Sequence, residues 1–352
     1  MNGHELLFFT GFLSLILIVL AIDLGLFNRH SHEVSFKEAT IWTIVWTILS
    51  FCVYLFIGSY GDMIHSVDSF SRLQELNQLH GHGLKLIPSL GLDAKLEIYR
   101  KALSLEFLTG YLIEYALSVD NIFVIIMLFM SFSVPKAYYH RVLFWGILGA
   151  IVMRFIFIFL SAALIQRFEW VMWIFGALLI FTGLKMYIDK DKEEKINVSK
   201  HPVVRFASKY FAVHPHFVKD NFVTKIGGKR MITPLLLVVF VIEFSDVLFA
   251  VDSVPAIFSV TKDPYIVFAS NICAILGLRS LFFLISNVMN LFHFLKIGLA
   301  VLLTFIGVKM LLGSILHIHI GTVSSLLAIV GILGVSILAS VIFPQKEFAA
   351  KK

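Results

Sequence analysis

The sequence predicts an all-α protein, a polytopic membrane helix bundle of about nine transmembrane helices with an inverted repeat of three helices in each copy. Three observations support this fold class. The composition is too apolar for a water-soluble domain, long apolar stretches recur along the chain, and two parts of the chain share an ordered set of charged residues.

The 352 residues are 59% hydrophobic and only 15% charged, against roughly 45–50% and 25% in an average soluble domain. So few charged side chains could not cover a buried core in water, which excludes a soluble enzyme, a disulfide scaffold and a disordered protein. Cys52 and Cys273 lie in apolar runs and are expected to pack as small hydrophobic residues. The net charge of +6 predicts basic cytoplasmic loops. The expected surroundings are therefore a lipid bilayer, and no nucleic-acid partner is predicted.

Nine apolar stretches have about 18 residues or more and could cross a hydrocarbon layer of roughly 30 Å as helices. They run approximately over 5–27, 40–58, 103–132, 140–165, 168–188, 231–258, 265–290, 292–313 and 320–343. The first has no preceding basic residue and no following small-residue cleavage site. We therefore expect it to be a retained span and not a signal peptide.

Lysine and arginine are unevenly distributed between alternate connections, and this bias predicts the orientation because cytoplasmic loops hold the excess. The segment 189–230 contains ten of these residues. Successive connections alternate between the two sides of the membrane, which places 17 of these residues on the same side as this segment and seven on the opposite side. We therefore expect this segment and the carboxyl terminus to be cytoplasmic, and the amino terminus to lie outside.

The chain divides into six segments on this pattern. They are an N-terminal two-helix unit (1–60), an extracytoplasmic connecting segment (61–102), a first three-helix repeat (103–188), a basic cytoplasmic loop (189–230), a second three-helix repeat (231–313), and a ninth helix with a cytoplasmic tail (314–352). Within the connecting segment, SFSRLQELNQL and LDAKLEIYRKAL are typical of short amphipathic helices on the outer face.

The two three-helix blocks are related in sequence. YALSVDNIF in the first block is similar to VLFAVDSVPAIF in the second, and charged residues match in the same order at offsets of 124 to 132 residues. The matched pairs are Glu114 with Asp246, Asp120 with Asp252, Arg154 with Arg279, and Lys185 with Lys309. Because each block holds an odd number of spans, the two copies must have opposite orientations in the bilayer. In transporters, such inverted repeats place the substrate at the interface between the copies.

Six carboxylates fall at bilayer depth, where each costs at least about 2.5–3.5 kcal/mol and therefore needs a partner. They are Asp23, Glu114, Asp120, Glu243, Asp246 and Asp252. One interpretation is that Arg154 and Arg279 balance them in structural ion pairs. Two arginines leave an excess of four negative charges, however, so we expect a bound cation or protons to balance the rest.

The side chains near these acids predict which cation would bind. Ser118, Asn121 and Ser253 add oxygen donors, and Pro255 is expected to interrupt its helix and free a backbone carbonyl. Oxygen donors suit manganese, magnesium or calcium, whereas copper or zinc would require clustered Cys, Met or His. Three histidine pairs near connections are expected to be solvated. They are His80 with His82, His214 with His216, and His317 with His319.

Four pieces of the sequence carry a resemblance to a known family. The chain resembles the TerC/Alx family of integral membrane proteins from about Gly11 to Leu312, in AIDLGLFNRH, EYALSVDNIF, EFSDVLFAVDSVPAIF and the paired GLR/GLK-type helix ends. The resemblance implies a polytopic protein of the bacterial inner membrane, in a superfamily similar to lysine exporters, with members linked to manganese efflux and to tellurite resistance. It also implies that the family's acidic positions are occupied here by Asp23, Glu114, Asp120, Asn121, Asp246, Asp252 and Ser253.

These observations predict a transporter that exports a divalent metal cation by alternating access with proton exchange. Manganese is the leading candidate for the cation. The alternative is a non-transporting membrane partner protein linked to tellurite or metal stress, for which the 189–230 loop would be the docking surface. No GxSxG, HExxH or Cys/His motif is present, so no enzymatic activity is predicted. No prosthetic group is expected, because the cation is the transported substrate. The sequence does not predict any protein partner.

Overall fold

The computed structural model of the protein describes residues 9–16, 18–19, 35–84, 89–189, 201–226, 228–288, 294–316, 318 and 320–343. Over these residues the chain is a bundle of helices with one small hairpin, which confirms the all-α class. The elements are α1 (Phe36–Tyr60), a 3-10 helix (Gly61–Met63), α2 (Phe70–His80), α3 (Leu92–Ser131), α4 (Lys136–Arg167), α5 (Trp170–Ile188), α6 (Pro202–Tyr210), β1 (Val223–Ile226), β2 (Lys229–Ile232), α7 (Pro234–Phe258), α8 (Pro264–Leu276), α9 (Leu278–Val288), α10 (Leu295–Ile315) and α11 (Thr322–Ile342).

Within the described ranges, seven helical segments are long and apolar enough to cross a membrane, and α8 with α9 forms an eighth candidate bent by 42°. The count of nine stays a prediction, because most of the predicted span 5–27 lies outside the described residues, although 9–16 and 18–19 are helical. The predicted span 265–290 is broken at Gly277, where α8 ends and α9 begins.

The helix α3 is longer than its predicted span. It has 40 residues, and therefore a length of about 60 Å at 1.5 Å per residue, twice the thickness of the hydrocarbon layer. The piece LDAKLEIYRKAL is its first three turns and not a separate helix, because no glycine or proline interrupts the chain between Leu92 and Thr109. The other predicted amphipathic piece is a short helix, α2, whose first turn is capped by the Ser69 hydroxyl.

Pro255 does not end its helix. The helix α7 continues for three residues beyond it, to Phe258. The proline removes only the hydrogen bond that residue 255 would donate to Val251, and it lies within the last turn, where few helical hydrogen bonds remain to be lost. α3 likewise runs without interruption past Asp120.

The connections between the helices lie at two opposite ends of the bundle. At one end, which we call the basic end, the turn between α3 and α4 meets the segment 201–233, where Arg141 donates to Asp220. At the opposite end, residues 61–84 meet the turn between α7 and α8, where the amide of Lys262 donates to the carbonyl of His80 at 3.2 Å. The basic end is the one that the charge bias assigns to the cytoplasm.

Closely spaced backbones join α5 to α10. A Cβ atom on Gly307 would lie 2.7 Å from the carbonyl oxygen of Gly176, and one on Gly183 would lie 2.7 Å from that of Ala300. The two helices are therefore antiparallel. Residues 176 and 300, like 183 and 307, are related by the offset of 124 that relates Lys185 to Lys309. Such a reciprocal contact is typical of elements related by a two-fold axis, and it supports the predicted inverted repeat.

We expect Gly307→Ala to destabilise the bundle, by about 1–3 kcal/mol, because its methyl group must push the two backbones apart. Gly331→Ala in α11 is the matched control, since a Cβ there meets nothing within 4 Å. The measurement is the midpoint of thermal unfolding of the purified protein in detergent. A midpoint for Gly307→Ala equal to that of the wild type would contradict the close packing.

Candidate metal centre

The centre of the bundle contains a buried cluster built around one guanidinium group. Arg154 of α4 is 0% exposed. Its Nη1 donates to the carboxylate of Glu114 in α3. The same atom lies 3.2 Å from the Ser253 hydroxyl, and Nη2 lies 3.3 Å from Asp246 Oδ1, both in α7. A single arginine therefore joins acids from the two sequence blocks, and these acids are the pair matched at an offset of 132.

Glu114 is also held by an amide group. Asn271 of α8, which is 0% exposed, donates from Nδ2 to Glu114 Oε2 at 3.0 Å. Both oxygens of this carboxylate are thus engaged, one by Arg154 and one by Asn271. Four helices, α3, α4, α7 and α8, meet in this cluster, and polar contacts here fix their relative positions.

The cluster is not electrically balanced by its own groups. Two carboxylates, those of Glu114 and Asp246, face the single positive charge of Arg154. Asp246 is 9% exposed, and its Oδ2 atom has no hydrogen-bond partner among the described residues. A buried carboxylate oxygen with no donor is costly unless a cation or a proton occupies the space beside it.

A small cavity lies at this carboxylate. It has a volume of about 20 Å³ and is lined by Asp246, Asn121 and apolar side chains such as Ile125, Leu143 and Ile242. That volume holds about one water-sized species. The Nδ2 atom of Asn121 also lacks a partner among the described residues. Because the two ends of an amide are assigned from their contacts, either its oxygen or its nitrogen can face the cavity.

Two further predicted acids, both in α7, contact neighbouring helices. Asp252 is half-buried and accepts a hydrogen bond from the Thr182 hydroxyl of α5 at 2.9 Å. Glu243 is half-buried, and its carboxylate lies against Gly149 of α4, where an added Cβ would come within 2.0 Å of Oε2. An alanine at position 149 would therefore displace the carboxylate of Glu243 from this position.

The remaining predicted residues are placed as follows. Ser118 is fully buried in α3 with its hydroxyl unpartnered among the described residues, and Asp120 is half-buried two residues further along the chain. Arg279 of α9 lies beside His140, with 3.0 Å between Nη1 and Nε2. Asp23 lies outside the described residues.

Sequence reasoning missed Asn271 and Thr182. Each is an uncharged polar residue in a largely apolar run, and neither belongs to the matched charged pairs. A detectable signal exists for Asn271, because an amide in the middle of a span must find a polar partner in the bundle interior. Thr182 carries no such signal, since a threonine can satisfy its own hydroxyl on the preceding turn of its helix.

Comparison with known proteins finds close relatives. The family model described as "Integral membrane protein TerC family" matches residues 99–347. An uncharacterized membrane protein of Myxococcus xanthus is 40% identical over 333 residues, which are 95% of this chain and 91% of that protein. An Alx protein of Escherichia coli strain K12, named as a candidate membrane-bound redox modulator, is 42% identical over 328 residues, 93% of this chain and 92% of that protein. No solved structure matches the chain significantly.

Removing Arg154 should destabilise the protein. Arg154→Met leaves two buried carboxylates without a counter-charge, and breaking a buried pair in this way costs about 3–5 kcal/mol. Adding Glu114→Gln should restore part of the loss, because it removes one of the two negative charges. Arg167→Met, at the exposed end of α4, is the control. The measurement is thermal unfolding in detergent, and wild-type stability for Arg154→Met would show that the cluster is not held by its charge.

Proposed function

We propose that this chain, which belongs to the TerC family of integral membrane proteins, is a transporter that exports a divalent metal cation. Manganese is the leading candidate for this cation. The observation that carries the proposal is that Asp246 and Asn121 line the same small cavity between α3, α4 and α7. The Oδ2 atom of Asp246 and the Nδ2 atom of Asn121 are buried and have no hydrogen-bond partner among the described residues. Carboxylate and amide oxygens are the ligands of a hard cation.

The position of the cavity supports transport. It lies beside Arg154, which bridges repeat-matched acids of the two blocks. In transporters built from inverted repeats, the substrate site lies at this kind of interface, and rocking of one repeat against the other opens it to each side in turn. Asp120, Glu243 and Asp252, distributed along α3 and α7, would supply further oxygen ligands to an ion that enters or leaves.

Export against a gradient must be driven by the movement of a second ion. The buried carboxylates can bind protons, so this ion can be a proton. A buried carboxylate that loses its metal is stabilised by taking up a proton instead. Metal release on one side and proton release on the other would then use the same oxygens. Arg154 supplies a permanent positive charge that keeps Glu114 and Asp246 from repelling each other when neither ligand is bound.

The proposed location is the bacterial inner membrane, with the amino terminus outside and the basic end and carboxyl terminus in the cytoplasm. The bacterial relatives and the charge bias of the connections support it. The redox role in the relatives' name belongs to those proteins. The proposal for this chain rests on carboxylates and amides, and it involves neither an enzymatic step nor a prosthetic group.

We expect Asp246→Asn to abolish manganese transport while the protein still inserts, because it removes an anionic ligand with little change in volume. Asp120→Asn and Asp252→Asn should do the same. The measurements are manganese uptake into vesicles containing the purified protein, and cellular metal content with each variant. Glu97→Gln is the matched control, because that carboxylate is exposed and pairs with Lys101 on the same helix.

Manganese should also raise the melting temperature of the wild-type protein, increasingly as the free metal exceeds its dissociation constant, and less as the pH falls. Asp246→Asn should lose this effect and Glu97→Gln should keep it. If manganese, calcium and magnesium at millimolar concentration all leave the wild-type melting temperature unchanged, the cluster is structural, and the protein is better described as a non-transporting membrane partner.

The topology can be tested separately. Reporter tags at residues 195 and 350 should be cytoplasmic, and a tag near residue 85 should be external, because the basic connections face the cytoplasm. Protease or alkylating-reagent accessibility in intact cells measures this. An external tag at 195 would reverse the proposed orientation and leave the metal site as it is.

A further inference from the structure

The histidines at the opposite end of the bundle are buried, contrary to the prediction that they are solvated. His80 is 4% exposed, and the side chain of His82 is 0% exposed. Between them, Gly81 ends α2 with φ of +64°, a left-handed conformation that suits glycine and turns the chain back. The turn between α7 and α8 lies against this point, where the amide of Lys262 donates to the carbonyl of His80. At the basic end, His216 is exposed as expected, and His317 and His319 lie outside the described residues.

Three metal-ligating side chains meet in this buried region. Donor atoms of His65, His80 and Asp263 all lie within 4.8 Å of one another, and the three residues are 1%, 4% and 0% exposed. His65 follows the 3-10 helix, His80 ends α2, and Asp263 precedes α8. Residues from such distant parts of the sequence come together only in the folded chain.

Asp263 is held in position, and one ring nitrogen of the cluster is unpartnered. Asp263 Oδ1 accepts from the amide of Tyr265 at 2.9 Å, which holds the carboxylate in place, and Oδ2 lies 2.8 Å from His65 Nε2. His80 Nδ1 has no hydrogen-bond partner among the described residues. A ring nitrogen buried without a partner costs free energy, and a metal ion would remove that cost.

Burial and the neighbouring rings both affect the pKa values in this region. Burial is the largest influence on His80 and lowers its pKa. Burial alone would raise the pKa of Asp263, but the facing ring of His65, which is hydrogen-bonded to it, holds that pKa well below the usual range.

A second carboxylate and a third imidazole lie next to the three ligands. The ring of His82 is centred 5.7 Å from that of His80. Its Nδ1 is 2.9 and 3.0 Å from the two oxygens of Glu106, and its Nε2 has no partner among the described residues. Glu106 is 2% exposed. Glu106 is thus occupied by His82, and Asp263 is the carboxylate of the three-ligand cluster.

We propose that His65, His80 and Asp263 form a second metal site, which binds a first-row transition metal ion of the zinc type. Two imidazoles and one carboxylate are ligands for zinc, cobalt or iron, whereas the oxygen donors around Asp246 suit manganese or calcium. Three protein ligands leave a fourth position for water in a tetrahedral site. A cavity of about 790 Å³ lies beside the site and is lined by Gly81 and Lys262, the chain neighbours of His80 and Asp263.

The metal would connect residues 61–84 to the turn that follows α7. Because α7 carries Asp246 and Asp252, the site would brace one end of the helix that contributes most to the central cluster. The inference does not depend on the proposed export activity, since it rests on a different set of residues at a different depth.

The test uses the purified full-length protein in detergent, stripped with a chelator and then titrated with Co²⁺, which absorbs strongly in the visible region when four-coordinate. We expect this absorption in the wild-type protein and its displacement by Zn²⁺. After dialysis against Zn²⁺, metal analysis should find one more zinc ion per chain in the wild type than in His80→Gln or Asp263→Asn. Loss of a group that only orients a metal ligand lowers the affinity for the metal by roughly 10–100-fold. Zinc affinity should fall by more than this in the two variants, because each removes a ligand.

Two controls make the result specific. His216→Gln should bind zinc as the wild type does, and Asp246→Asn should keep this zinc ion while losing the effect of manganese. Circular dichroism and size-exclusion chromatography in chelator check the folding of each variant, and the cobalt spectrum of the wild type needs no variant at all. A wild-type protein without that spectrum and without retained zinc would overturn the proposal. So would unchanged zinc binding in folded His80→Gln and Asp263→Asn.

Discussion

The guanidinium of Arg154, fully buried between the carboxylates of Glu114 and Asp246, is the interaction on which the arrangement of the helices depends. A charge at this depth is tolerated only when its partners are in place, so a movement of α3 and α4 against α7 must keep Arg154 in contact with a carboxylate. The same cluster is unbalanced by one negative charge. That imbalance leaves Asp246 with an unpartnered oxygen at a small cavity, and the requirement for stability therefore also creates a place for a cation.

Away from the cluster, the helices are held by close backbone packing. Lipid tails are as apolar as leucine, so helices in a membrane associate mainly through van der Waals contact and benefit from small residues at the interface. Gly176, Gly183 and Gly307 allow α5 and α10 to approach in this way. Gly149 serves a different purpose, since it leaves room for the carboxylate of Glu243 between α4 and α7.

The two candidate metal sites differ in chemistry and in depth. The central one offers carboxylate and amide oxygens in the middle of the bundle. Few protein ligands surround it, so an ion bound there could leave. The site at the opposite end offers two imidazoles and a carboxylate that are fixed by a helix cap and by neighbouring rings. Ligand type separates the ions that each would bind, so the two proposals assign a retained metal to one site and a transported ion to the other.

The composition and the length of the apolar stretches determined the fold class, because backbone groups in lipid must be satisfied within each helix. The matched offsets also identified Glu114 and Asp246 as equivalent acids. Only the tertiary structure decided which groups surround them. Arg154 and Arg279 are equivalent in sequence, yet Arg154 lies in a continuous α4, whereas the counterpart of that helix breaks at Gly277, and Arg279 contacts His140. Local patterns could not predict which group Asn271 contacts or that the histidines are buried, for the same physical reason. Their surroundings come from residues distant in sequence, such as the turn at Asp263, which lies 198 positions from His65.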